Sequence, residues 1–375
     1  MKREMKTPDH TPNMITRKEA LMVALWAAML IALYVVVGYL GVRQLHGYTA
    51  QTEEARKVLI EAPTIDPGAA VPETIPALET KAVDVRVGIC MNGVEELSIK
   101  EAGWTADFDV WFHWTGDEVS PGETFRIFNG EILDRKKIEE YVSGKERYER
   151  YRVKARISKS FDPSRFPFGD EVLAVGIEDE IHGVGTLMYV ADDNGGDSDS
   201  LVIPGNPSIT KSLTMVKLGF RPCGGDPGMS TNGARTRSRF IFAMLVKPPG
   251  REIYLKMFQA LFCSVAIALL AFFVEPNDTQ TRSAMGVGAF FVIIGNNIYV
   301  NTLIPLADRV TLADMINGVG MATIFLSLVG SAISFHLFER MGKEWLSRRF
   351  DTVSFVILLA GFTVLIIFFP LAANP

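Results

Sequence analysis

Five mainly apolar stretches, near residues 20–41, 253–274, 284–305, 312–338 and 353–372, constrain this chain more than any other feature. The hydrocarbon core of a bilayer is roughly 30 Å thick and takes about 20 helical residues to cross. A chain with five such stretches is read as an integral membrane protein. Yet 22% of its 375 residues are charged, so membrane segments are combined with a water-soluble part. Only the gap between the first and second stretches is long enough to house a folded domain. There acids outnumber bases, and Pro, Gly and Asp turns are frequent.

The first stretch, ALMVALWAAMLIALYVVVGYLG, is longer than the apolar core of a signal peptide and has no clear small-residue cleavage site. It is expected to be a retained anchor. Lys2, Arg3, Lys6, Arg17 and Lys18 in the leader, and Arg340, Lys343, Arg348 and Arg349 between the last two stretches, mark cytoplasmic sides. The expected order is therefore a cytoplasmic leader (1–19), an anchor (20–41), a linker (42–79), an external domain (80–250) and a membrane domain (251–375). With no large cytoplasmic domain, whatever the external part senses must be expressed within the membrane.

From Lys81 the pattern alternates. In AVDVRVGI the residues Val83, Val85, Val87 and Ile89 share a face, and in WTADFDVWFHW Trp104, Ala106, Phe108, Val110 and Phe112 do the same. TFRIFNG, YRVKARIS, EVLAVGIED, TLMYVADD, ITKSLTMVKLGF and RSRFIFAMLV are further strand candidates. Short strands separated by turns predict an all-β antiparallel sandwich. The linker is rich in Pro, Ala and Glu, with room for one short helix.

The motifs of several enzyme classes are missing. Cys90, Cys223 and Cys263 make no disulfide framework, a single Cys90–Cys223 bridge being the one option. The five histidines are scattered with no zinc spacing, and no Walker loop, dinucleotide fingerprint or nucleophile elbow occurs. An enzyme is not expected, nor a nucleic-acid partner, nor a cofactor. Asp192, Asp193, Asp197 and Asp199 crowd one Gly-rich loop whose oxygens are candidate Ca²⁺ ligands, although the spacing is not that of an EF-hand and a solvated acidic loop explains them as well. The run DRKKIEEYVSGKERYERYRVKAR reads as a solvated face.

SKSFDPSRFPFGDEVLAVGIED resembles the Pro-loop of the pentameric ligand-gated ion channels, the Cys-loop receptor superfamily. The likeness extends to VRVGICMNGVEELSIKEAGWTADFDVWFHWTGDE, with its Trp114 and Asp117, and to VKPPGREIYLK, where Arg251 stands for the family's basic residue before the first helix of a four-helix bundle. It covers about residues 80 to 373. The chain is similar to the prokaryotic type, because no cysteines flank Phe166-Pro167-Phe168, and it departs from it in its extra anchor and in Gly169 at the usual Asp position. The resemblance implies a homopentamer in a cell membrane, a bacterial inner membrane with the sandwich in the periplasm. It also implies a small-molecule, proton or ion ligand at sandwich interfaces. Coupling is then expected at Glu95, Glu96, Arg165, Phe166, Pro167, Phe168, Asp170, Arg251 and the loop containing Pro305, with Arg251 in a buried, switchable ion pair.

In the same alignment TRSAMGVGAFFVIIGNNIYVNTLIP is similar to the pore-lining helix, which puts Gln280, Ala284, Gly288, Phe291, Gly295, Ile298 and Thr302 toward an axis. At 100° per residue these seven fall within about 80° of one another. Rings of Phe291 and Ile298 would narrow a water-filled path and gate it by dewetting. Asp278 and Arg282 fall at its mouth; the acids favour cations and Arg282 opposes them. The hairpin tip that covers the agonist in relatives has no Tyr or Trp here. Ligand candidates are therefore Glu178, His182, Tyr189 and Phe220. The leading expectation is a ligand-gated channel, and the alternative is a non-conducting membrane receptor or scaffold whose anchor recruits a partner.

Overall fold

The computed structural model describes residues 16–61, 82–192, 208–220, 236–304 and 308–374. Cys223, Asp193, Asp197, Asp199 and Pro305 lie outside the described residues. Among the described residues five helices are long and apolar enough to cross a membrane: α1 (Arg17–Glu61), α2 (Gly250–Leu270), α3 (Thr279–Leu303), α4 (Leu312–Glu339) and α5 (Glu344–Ala373). The chain divides into two compact units. Met1–Gln44, Met257–Tyr299 and Ala313–Ala372 form one, and Leu45–Lys256, Val300–Leu312 and Ala373–Pro375 the other.

Helix α1 has 45 residues, about 68 Å at 1.5 Å per residue, more than twice the thickness of a bilayer core. The linker expected over 42–79 is thus helical as far as Glu61. Polarity rises after residue 41, but no proline interrupts the chain until Pro63, and a polar sequence of helix formers continues a helix already nucleated.

Within the helical unit α1 packs closely on α5. A Cβ on Gly41 would lie 2.6 Å from the Phe369 ring, and one on Gly361 2.5 Å from the Tyr34 ring. Small residues let helices meet where lipid offers no hydrophobic drive. Polar side chains add to this. Trp26 Nε1 donates to Ser354 Oγ at 3.0 Å, and the Tyr34 and Thr323 hydroxyls lie 2.7 Å apart, tying α1 to α5 and α4. Ser334 and Ser347 bridge α4 to α5, with their hydroxyl oxygens 2.8 Å apart.

The other unit holds nine strands among the described residues: β1 (Val83–Ser98), β2 (Gly103–Thr115), β3 (Phe125–Ile127), β4 (Gly130–Ser143), β5 (Glu146–Ser158), β6 (Glu171–Asp179), β7 (Leu187–Ala191), β8 (Ser208–Phe220) and β9 (Thr236–Lys247). They form two sheets, in the orders β4-β5-β2-β1-β7 and β3-β6-β9-β8. Alternate residues of both sheets meet in one apolar core. Val85, Val87 and Ile89 of β1 and Phe108, Val110 and Phe112 of β2 are buried together with Val175, Ile177, Phe240 and Phe242 of the other sheet.

One detail differs from the sequence reading. The pairing of β1 with β7, Val83 opposite Leu187, is parallel, so the strands are not all antiparallel. Parallel neighbours need a long crossover, and here β2 to β6 supply it. The antiparallel β1–β2 hairpin contains Glu95 and Glu96, both residues of strand β1.

Candidate functional site

Helix α3 has two unlike faces. Ala289, Ile293, Asn296 and Val300 are buried against the chain. The seven residues of the stripe, Gln280, Ala284, Gly288, Phe291, Gly295, Ile298 and Thr302, are all exposed. Phe291 is 69% exposed and Ile298 63%, large apolar side chains left mostly uncovered by the described residues.

The glycines of α3 separate by role. A Cβ added to Gly286 would strike the Leu328 side chain of α4, so that glycine is explained by close packing. Around Gly288 and Gly295 nothing lies within 4 Å of such a Cβ. Close packing within the chain therefore does not account for these two. In a helix interior each costs about 1 kcal/mol relative to alanine.

Asparagines fix the rotation of the helix. Asn296 Nδ2 donates to Asn317 Oδ1 at 3.2 Å, and Asn317 Nδ2 donates to Asn297 Oδ1 at 3.3 Å. One α4 side chain thus holds two consecutive residues of α3. Amides inside a membrane segment are costly unless they find each other, and with Asn317 engaged the Phe291 face is turned outward.

The two residues expected at the mouth behave differently. Asp278 is exposed and accepts from the Thr281 backbone N–H at 3.1 Å, a cap on the first turn of α3. Arg282 is 2% exposed and turned into the helical unit. Its Nη2 lies 2.7 Å from Asp351 Oδ2 of α5 and also donates to the Val274 carbonyl at 2.5 Å. The position of Arg282 in the helix puts it off the exposed stripe, and burial of its charge is offset by that carboxylate. Asp351 and Asn317 were not among the sequence candidates. A polar residue inside an apolar run requires a partner, but the run does not say which one.

Several of the expected coupling residues belong to the Phe-Pro-Phe turn itself, Arg165 to Phe168. Asp162 accepts from the Ser164 backbone N–H at 3.0 Å and caps the short 3-10 turn Pro163–Arg165. The Phe166–Pro167 peptide is cis. Phe168 packs on Tyr254 of α2 at 5.7 Å between ring centres. A Cβ on Gly250 would lie 2.7 Å from the Phe168 ring, so glycine is required at that approach. Arg165 is buried and donates to the Ala373 carbonyl at 3.4 Å, while a buried Asp170 oxygen has no hydrogen-bond partner among the described residues. Glu95 pairs with Lys154 at 2.5 Å, and Glu96 is exposed.

Arg251 is exposed, and among the described residues it forms no ion pair. The buried pair expected of it is not found among the described residues, and the buried arginine beside the Phe-Pro-Phe turn is Arg165. Arg251 lies in the first turn of α2, where a long side chain reaches solvent freely.

The ligand candidates divide in the same way. Glu178 is 0% exposed and accepts from Arg239 Nε at 2.7 Å and from the Arg126 guanidinium. Register explains this, because Arg126, Glu178 and Arg239 lie opposite one another across β3, β6 and β9. Burial by itself would raise the Glu178 carboxyl, but the hydrogen bonds from the two arginines outweigh it and hold it below the usual carboxylate range. Tyr189 is buried in the apolar core, which pushes its hydroxyl well above the ordinary tyrosine value. His182 Nδ1 lies 3.0 Å from Asp179. Phe220 ends β8, opposite Thr236. Glu178 and Tyr189 are thus interior residues.

Asp192 accepts from Trp111 Nε1 at 2.8 Å. Among the described residues no group of three His, Cys, Asp or Glu side chains is placed to hold a metal ion. No family model matches this chain, and no curated protein matches it.

Proposed function

We propose that the chain is one subunit of a homopentameric ligand-gated ion channel of the kind its Pro-loop region resembles, with α3 lining an axial path. The observation that carries this reading is the open space around Gly288 and Gly295 on the exposed stripe. Two glycines that weaken a helix with no packing return inside the chain need their return outside it. A lipid-facing surface would be better filled by Leu or Val. A narrow water-filled path, lined by five copies and closed by Phe291, uses small and polar residues on that face.

In this reading the two sheets are a ligand-sensing β-sandwich in the periplasm of a bacterial inner membrane. Helices α2 to α5 are a four-helix pore bundle, and α1 is a fifth, added helix. Occupation of sites between neighbouring sandwiches opens the path. The neutralisation of Arg282 by Asp351 removes the charge that opposed cations, while Asp278 remains exposed at the start of α3. A cation path is favoured on that ground.

The test is to purify the chain, measure its assembled mass in detergent, and record currents from reconstituted vesicles across a panel of pH, Ca²⁺ and small ligands. The expected result is a particle of five times 41.4 kDa and a current under at least one condition. A single-chain particle that passes no current would overturn the channel and leave a non-conducting membrane receptor or scaffold.

A further inference from the structure

Past its apolar run α1 continues from Leu45 to Glu61, and this extension belongs to the same compact unit as residues 300–312, the last turn of α3 and its connection to α4. A helix that served only as a spacer would be solvated on every side. Here Leu45 is 0% exposed and Tyr48 7%, while Arg43, His46, Gly47 and Ala50 around them are exposed. Residues three apart share a helix face, so the extension carries a packed face of its own.

Three contacts join that face to the connection. The Tyr48 hydroxyl donates to the Val310 carbonyl at 2.9 Å. The Arg309 guanidinium stands 5.4 Å from the centre of the Tyr48 ring. Its Nη1 donates to Gln51 Oε1 at 2.8 Å. A tyrosine offers a ring face to a cation and a hydroxyl to an acceptor, and Tyr48 uses both on consecutive residues of the connection. Arg309 in return grips two residues about one turn apart in α1. The buried Thr311 and Leu312 follow at once, and Leu312 opens α4.

We propose that the extension of α1 is a built-in brake, which holds the α3–α4 connection in one arrangement through Tyr48 and Arg309 and must let go of it for the path to open. The proposal rests on the channel reading, in which the arrangement with Phe291 on the axial stripe is the closed one. A contact made in one arrangement and lost in the other shifts the equilibrium by its own free energy. Arg309, Val310 and Gln51 are exposed, and hydrogen bonds and cation–π contacts at exposed positions are individually weak. Such a hold biases the connection without locking it. Because it is made within one chain, every subunit carries its own.

The experiment compares full-length wild type with Tyr48→Phe, Arg309→Gln and Arg309→Lys, and uses Phe291→Ala as the control for conduction. Amide hydrogen exchange over residues 308–316 in detergent reads the contact, and resting current in reconstituted vesicles reads the brake. Tyr48→Phe keeps the ring and removes only the hydroxyl, so the helix is left intact. Exchange is expected to be faster in Tyr48→Phe and Arg309→Gln, and the resting current to rise about fivefold, the change that one hydrogen bond makes in an equilibrium. Arg309→Lys, which keeps a cation for the ring, should fall between these and wild type. Unchanged exchange would overturn the contact whatever the currents do. Faster exchange with an unchanged or smaller resting current, in vesicles where Phe291→Ala leaks, would overturn the brake and leave the pore. Silence of every variant, Phe291→Ala included, would overturn the pore and the brake with it.

Discussion

Arg282 and Asp351 are two buried charges that satisfy each other inside a membrane protein, 2.7 Å apart. Taking one away leaves the other uncompensated, a loss of about 3–5 kcal/mol for such pairs. Arg282→Ala is expected to lower the thermal stability of the solubilised protein sharply, and Arg282→Ala with Asp351→Ala to recover part of the loss; equal losses for the single and double variants would contradict the pairing. Glu178 adds a pH dependence. Its pKa is lower in the folded protein than in the unfolded chain, where it lies at about 4.3. The unfolded chain therefore takes up the proton first as pH falls, and the stabilisation present above that value is lost below it. Stability should drop as pH falls below about 4.3, and Glu178→Gln should be less stable at neutral pH with a flatter acid limb; a parallel acid limb would remove Glu178 from that transition. The singular residues, Arg282 just before an apolar run and Glu178 in a strand, are visible in the sequence. Their partners are not, because Asp351 and Arg239 are remote along the chain, and their proximity arises only from helix packing and strand register.

Among the elements, the β-strands were the most legible, since alternation along β1 and β2 marks which side chains are buried. The parallel β1–β7 pair was not, because alternation carries no strand direction. Helix α1 was legible only over its apolar half. Its continuation to Glu61 falls in the stretch whose Pro, Ala and Glu content reads as linker, yet the first proline there is Pro63, beyond the helix end. The glycines of α1 and α5 make a prediction about this element. With Phe369 2.6 Å from the place of a Gly41 Cβ, Gly41→Val should drive α1 away from α5. The expected loss is about 1–3 kcal/mol, the usual range for overpacking, read as a fall in the unfolding temperature. An unchanged temperature would show that α1 is not held by this contact.

For the whole molecule, the division into a helical and a sheet-based unit follows from the sequence pattern, five long apolar runs around one alternating, turn-rich segment. Among the described residues nothing fills the space beside Gly288 and Gly295 of the α3 stripe. Phe291, Ile298, Gly288 and Gly295 are exposed on a helix whose other face is packed and pinned by Asn317. In the channel reading Phe291 is the gate, and the direct measurement is the resting current of reconstituted protein with and without that side chain. Wild type should be silent in the absence of ligand, and Phe291→Ala should leak at rest by at least about tenfold, the change produced by roughly 1.4 kcal/mol in a closed–open equilibrium. A Phe291→Ala protein that assembles like wild type and stays silent under every condition would contradict the assignment of α3 as the wall of a pore.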